Sequence, residues 1–134
     1  MNDTAIAPEP TRTAAPTSSA ANKSAASAAI WHRICPFDDI WPDTGVCALI
    51  GRRQVAVFRL ADGSLYAIGN HDPHSGANVL SRGIVGDLGG EPVVASPLYK
   101  HHYRLRTGAC VEAPDTGVPT YAIELRDGIV WLKD

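Results

Sequence analysis

Histidines, an aspartate and tyrosines gather in two short stretches, HDPHSGANVLSRG (71–83) and SPLYKHHYRLRTG (96–108), which hold four of the chain's five histidines. Imidazole and carboxylate groups brought together from two loops are the materials of a metal site. His74, His101 and His102 with Asp72 would supply a three-histidine or histidine–carboxylate set for zinc or non-haem iron. His101 and His102 are adjacent, however, so on a strand they point to opposite faces and one at most turns towards His74. The competing reading is a hydrogen-bonded loop or a partner-facing surface. Cations interleaved with aromatics in YKHHYRLR suit a single nucleic-acid strand. Strand alternation accounts for them more simply, with His102, Arg104 and Arg106 on a solvated face and Tyr103 and Leu105 packed inward. Asp38 and Asp39 form a carboxylate pair inside the turn-like PFDDIWPDTG, where aspartates bond nearby backbone. GDLGGE lacks the Lys-Ser/Thr ending of a phosphate loop.

The segments that must position these loops read as short strands. GVCALI (45–50) and QVAVFRL (54–60) flank Arg52 and Arg53, with Gly51 able to make the connection, and Asp62-Gly63 marks a two-residue hairpin leading to SLYAI (64–68). GIV (83–85) and EPVVAS (91–96) bracket GDLGG as a turn cluster, and YRLR (103–106) alternates as a strand with one buried face. TYAIELRDGIVWLKD closes the chain with a second hairpin at Asp127-Gly128. No segment has helical periodicity. The expected fold is all-β, an antiparallel sandwich or small barrel of roughly eight to ten strands carrying the two loops as a subdomain.

Residues 1–29 are built almost wholly from Ala, Ser, Thr, Pro and Asn, with ten alanines and no aromatic side chain. Such a segment cannot bury enough apolar area to offset its ordering entropy. The expected organisation is a disordered tail over 1–29 and one domain over 30–134. The tail has no apolar run behind a basic start, and no stretch approaches the ~20 apolar residues that cross a bilayer. A cytoplasmic protein is expected, and the formal net charge of −2 gives no general pull towards nucleic acid or an anionic membrane. Cys35, Cys47 and Cys110 are too widely spaced for a zinc or disulfide pattern and read as small, partly buried apolar residues.

The loops, D72-P-H-x-G-A77 and S96-P-L-Y99 followed by Tyr103 and Leu105-x-Thr107-Gly108, resemble those of the Rieske family. There a Cys-x-His and a Cys-x-x-His loop share a 2Fe-2S cluster. Asp72 and Ser96 stand where the cysteines belong and Tyr99 where the second histidine belongs, so that only His74 remains of the ligand set. Thiolates are soft donors, whereas these replacements offer hard oxygens. The run from Ser75 to Cys110 is similar, nearly residue for residue, to the small-subunit family of NAD(P)H-dependent assimilatory nitrite reductases, in which these ligands are missing as a rule. That resemblance implies a cytoplasmic accessory subunit with no cluster, catalytic residue or metal of its own. Its partner would be a large subunit carrying FAD, the NAD(P)H site, an iron-sulfur cluster and sirohaem, and reducing nitrite to ammonium. The residues implied to meet that partner are His74, Arg82, Tyr99, Lys100 and His101, on loops stiffened by Pro73 and Pro97 and bent at Gly76 and Gly83. A Rieske-type electron-transfer ferredoxin and a mononuclear metal-binding domain stand as the alternatives.

Overall fold

The structure is a computed structural model that describes residues 30–98 and 100–134. The tail expected over 1–29 and the site position Tyr99 lie outside the described residues. Eleven strands follow in order: β1 (Trp31–Pro36), β2 (Thr44–Ile50), β3 (Arg53–Arg59), β4 (Leu65–Gly69), β5 (His71–Asp72), β6 (Ala77–Asn78), β7 (Ile84–Leu88), β8 (Glu91–Ala95), β9 (His102–Arg104), β10 (Ile123–Arg126) and β11 (Ile129–Lys133). Single 3-10 turns span Phe37–Asp39 and Leu80–Arg82. The all-β expectation holds, with two more short strands than the sequence suggested in the first loop, β5 and β6.

Strands β2-β3-β4 form the central antiparallel sheet. Its β3 run Val55–Phe58 is fully buried on both faces, which explains four apolar residues in succession where a one-sided strand would alternate. Val55 and Val57 pack with Ile50, Ala67, Val130 and Leu132 against the sheet β1-β11-β10. Ala56 and Phe58 pack on the opposite side with Leu80, Val94, Tyr103 and Leu105, which come from the two loops and from the sheet β7-β8-β9. Each large side chain so buried contributes roughly 1.5–3 kcal/mol, so the loop-bearing subdomain is anchored by the same strand that anchors the rest.

Four boundaries differ from expectation. Trp31–Pro36 is a strand because it pairs with β11 at the far end of the chain (Trp31 opposite Lys133), a long-range pairing with no local signal. In GDLGG the strand runs on to Leu88, opposite Glu91, and only Gly89-Gly90 turn, both at positive φ. The Asp62-Gly63 connection is a three-residue loop closed by Leu60 N–H to Ser64 O (2.9 Å), with Gly63 at φ +89°. YRLR leaves the ladder after Arg104, although Tyr103 and Leu105 are buried as alternation requires. The Asp127-Gly128 hairpin forms as expected, between Arg126 and Ile129.

Candidate functional site

The two loops leave the central sheet and the sheet β7-β8-β9 and meet at a buried carboxylate. Asn70, at the end of β4 and 2 % exposed, fixes the first of them. Its side chain accepts from Ser81 N–H (2.6 Å) and donates to Asn78 O (3.2 Å) and Gln54 Oε1 (3.0 Å), while its carbonyl accepts from Leu80 N–H (3.1 Å). Two residues on, Asp72 is 0 % exposed. Ser96 Oγ donates to Asp72 Oδ2 at 2.6 Å, Tyr103 Oη donates to Oδ1 at 2.7 Å, and His74 N–H donates to Oδ1 at 3.0 Å. Ser96 in turn accepts from Leu98 N–H (3.2 Å) and donates its backbone N–H to His101 O (2.8 Å), so the second loop folds around its hydroxyl.

Burial alone would raise the Asp72 pKa, but the donors from Ser96, Tyr103, the His74 backbone and Ser75 outweigh it and hold the carboxyl down at about 2. Burial first, and then the bond to Asp72, drive the Tyr103 phenol above its ordinary range. A carboxylate whose lone pairs are already engaged and a phenol that keeps its proton make a tie between β5, β9 and the loop that follows β8, not an acid–base pair.

His74 lies over this tie with its ring stacked on His101, centroids 3.9 Å apart and planes within 3°. Its Nε2 is 3.0 Å from Thr116 Oγ1, and that hydroxyl spends its own proton on Ala113 O at 2.9 Å. The threonine oxygen therefore accepts, which assigns the His74 proton to Nε2. His102 turns the other way: its ring meets Glu112 Oε2 at 2.6 Å and its backbone N–H meets Oε1 at 2.8 Å. Burial raises the Glu112 pKa, but these two bonds reverse that and bring it to about 2. The adjacent histidines do point apart, and among the described residues no group of three or more His, Cys, Asp or Glu is placed to hold a metal ion.

Of the expected partner-facing residues, Arg82 and Lys100 are exposed, whereas His101 and His74 are half-buried against each other. Gly76 makes the expected bend at φ +73°, but Gly83 has a different reason: a Cβ there would lie 2.4 Å from Ala95 O. Cys47 is exposed, not partly buried. Asn70, Thr116 and the Tyr103 hydroxyl carry the site and were not singled out from sequence. A polar Asn closing an apolar strand just before the loop was the one available signal. Lys100 holds φ +61°, a left-handed backbone that costs a non-glycine residue about 1 kcal/mol. Lys100→Gly is therefore expected to stabilise the chain by up to about 1 kcal/mol in urea unfolding; no gain would mean the turn is unstrained.

The Rieske-like [2Fe-2S] domain model matches residues 30–133. The NADH nitrite reductase small subunit of Escherichia coli K12 is 46% identical over 104 residues, 77% of this chain and 96% of that one. The chain belongs to the nitrite reductase small-subunit family of Rieske-like domains. The solution structure of the E. coli protein NirD superposes with a TM-score of 0.75 at 44% identity, covering 80% of this chain and 98% of that one. The NAD(P)H nitrite reductase large subunit of Klebsiella oxytoca is 45% identical over 102 residues, 76% of this chain but only 11% of that much longer relative.

A Rieske-like domain is expected to hold its cluster with paired thiolates and imidazoles. The donor set here does not fit that group. The positions that the loop resemblance matches to the two cysteines hold Asp72 and Ser96, oxygen donors bonded to each other at 2.6 Å with the carboxylate further engaged by Tyr103. His74 is committed to Thr116. The loops are joined by hydrogen bonds where the family pattern joins them through iron.

Proposed function

We propose that the chain is the small, partner-binding subunit of a cytoplasmic NAD(P)H-dependent nitrite reductase, supporting reduction of nitrite to ammonium in assimilation while holding no cluster of its own. The observation that carries this reading is the Asp72–Ser96–Tyr103 tie at the positions where a cluster would need thiolates, in a chain matching nearly the whole length of a nitrite reductase small subunit. FAD, sirohaem, an iron-sulfur cluster and the NAD(P)H site belong, on this reading, to the large subunit. The match to part of a large-subunit chain supports that subunit as the partner, because that relative carries a segment similar to this chain within its large-subunit polypeptide.

The tied loops give the domain a stiff tip. Exposed Leu98 and Lys100, with Tyr99 between them and Arg82 on the neighbouring turn, are its contact residues, and His74 and His101 stiffen the tip from beneath by stacking. An apolar or aromatic centre with a cationic rim typifies such surfaces. Co-expression with the large subunit is expected to give a complex with nitrite-dependent NAD(P)H oxidation, which Tyr99→Ala weakens without unfolding the chain. The purified chain alone is expected to be colourless and free of acid-labile sulfide. Sulfide at about two atoms per chain, with visible absorption, would replace this reading with that of a Rieske ferredoxin.

A further inference from the structure

Seven of the chain's twelve glycines adopt a positive φ, and at four others (Gly45, Gly69, Gly83 and Gly117) a Cβ would come within 3.1 Å or less of another part of the fold. Gly86 has neither reason: its φ is ordinary and a Cβ there would meet nothing within 4 Å. It sits in the middle of β7, where a glycine weakens a strand and gives nothing to pack. Such a residue marks a bulge, a tight bend or a site where another chain or ligand comes close, and the unbroken register of β7 with β8 leaves no bulge here.

The rest of β7 points the same way. It is the edge strand of its sheet, paired with β8 alone. Val85 packs into the core, so Ile84, Gly86 and Leu88 share the opposite face, where Ile84 is 70% and Leu88 42% exposed. Edge strands are ordinarily protected by charged side chains, a proline, a bulge or their shortness. The charge of IVGDL, Asp87, alternates to the face opposite Ile84, Gly86 and Leu88, which carries no protecting charge from β7 itself, and the register with β8 is unbroken from Ile84 to Leu88. Across the same face β8 and β9 carry a charged border, in which Glu91 pairs with Arg104 and Arg106 and His102 pairs with Glu112. An apolar strip with a charged margin is the anatomy of a protein interface.

We propose that β7 receives an added strand from the large subunit, hydrogen-bonded along its open edge, with a large apolar side chain of that strand filling the gap over Gly86 between Ile84 and Leu88. The inference rests on the reading of the chain as the small subunit of that enzyme. Two observations favour this occupant. The Klebsiella relative carries a domain of this kind within a large-subunit chain. Ile84 pairs with Ala95, the residue before Ser96–Leu98, so the strip ends beside the tip assigned to the same partner.

The test uses the full-length chain with the large subunit. Gly86→Val and Ile84→Lys are each expected to raise the Kd at least about tenfold, the effect of losing a central contact. Neither is expected to lower the urea midpoint of the chain alone, because Gly86 has open space and Ile84 lies largely in solvent. Wild-type affinity in both variants, with Tyr99→Ala still weakening the complex, overturns the added strand and leaves the small-subunit reading standing. A wild-type chain with no affinity for the large subunit overturns both. If the chain alone self-associates and Gly86→Val abolishes that, the occupant is a second copy and the proposal fails.

Discussion

Asp72→Ala will lower the stability of the domain by roughly 3–5 kcal/mol, the combined cost of two buried hydroxyls left unsatisfied at about 1–3 kcal/mol each. The deletion strands the hydroxyls of Ser96 and Tyr103, residues 1% and 0% exposed. For a domain of about a hundred residues each kcal/mol moves the melting temperature by roughly 4–8 °C, so the midpoint is expected to fall by about 12 °C or more. Tyr103→Phe removes one donor and leaves Asp72 with Ser96 and the His74 backbone, so its loss is expected to be smaller, about 1–2 kcal/mol. The order Asp72→Ala well above Tyr103→Phe, measured by urea or thermal unfolding, is the signature of a carboxylate hub. An Asp72→Ala loss below about 1 kcal/mol would show that the loops are held by apolar packing alone. Because the tie also sets the course of Ser96–Leu98, the same substitution is expected to weaken large-subunit binding at temperatures where the chain is still folded.

What could be read from residues alone follows how local each cause is. The strand run Val55–Phe58 and the Asp127-Gly128 hairpin were legible because their signals, an apolar run and a turn dipeptide, lie within the segments themselves. β1 was not, since its reason for being a strand is β11, joined to it only across the whole domain. The motif match brought Asp72, His74 and Ser96 to one place, as the structure has them. Tyr103 was legible as an inward-facing residue, but where its hydroxyl goes depends on the depth of β9 relative to β5, which alternation does not encode. Thr116 reaches His74 from forty-two residues away along an irregular segment and carried no signal of its own. Gly86 is the converse case: inside GDLGG it looked like turn chemistry, and only the register of β7 with β8 separates it from the true turn at Gly89-Gly90.

Acid will undo the same tie, and the sign follows from the direction of the shift. The Asp72 carboxyl has a pKa of about 2 when folded against 3.8 in its ordinary state, so the folded chain binds fewer protons than the unfolded one between those values. Its contribution is fully present above about pH 5 and is lost as pH falls through 4 towards 2, by roughly 2 kcal/mol at 1.36 kcal/mol per pKa unit. Glu112, also held at about 2 but on an exposed ion pair with His102, titrates in the same window and must be separated from it. Urea unfolding of the wild type, Asp72→Asn and Glu112→Gln from pH 6 to pH 2 does so. The stability gap between wild type and Asp72→Asn is expected to narrow by about 2 kcal/mol over that range, while the gap to Glu112→Gln changes less, because water screens the exposed pair. A gap to Asp72→Asn that stays constant with pH would mean that the folded carboxyl titrates as it does in the unfolded chain, so that the tie does not favour its ionised form. A wild type that instead gains on Asp72→Asn as pH falls would mean the carboxyl is not ionised in the folded protein.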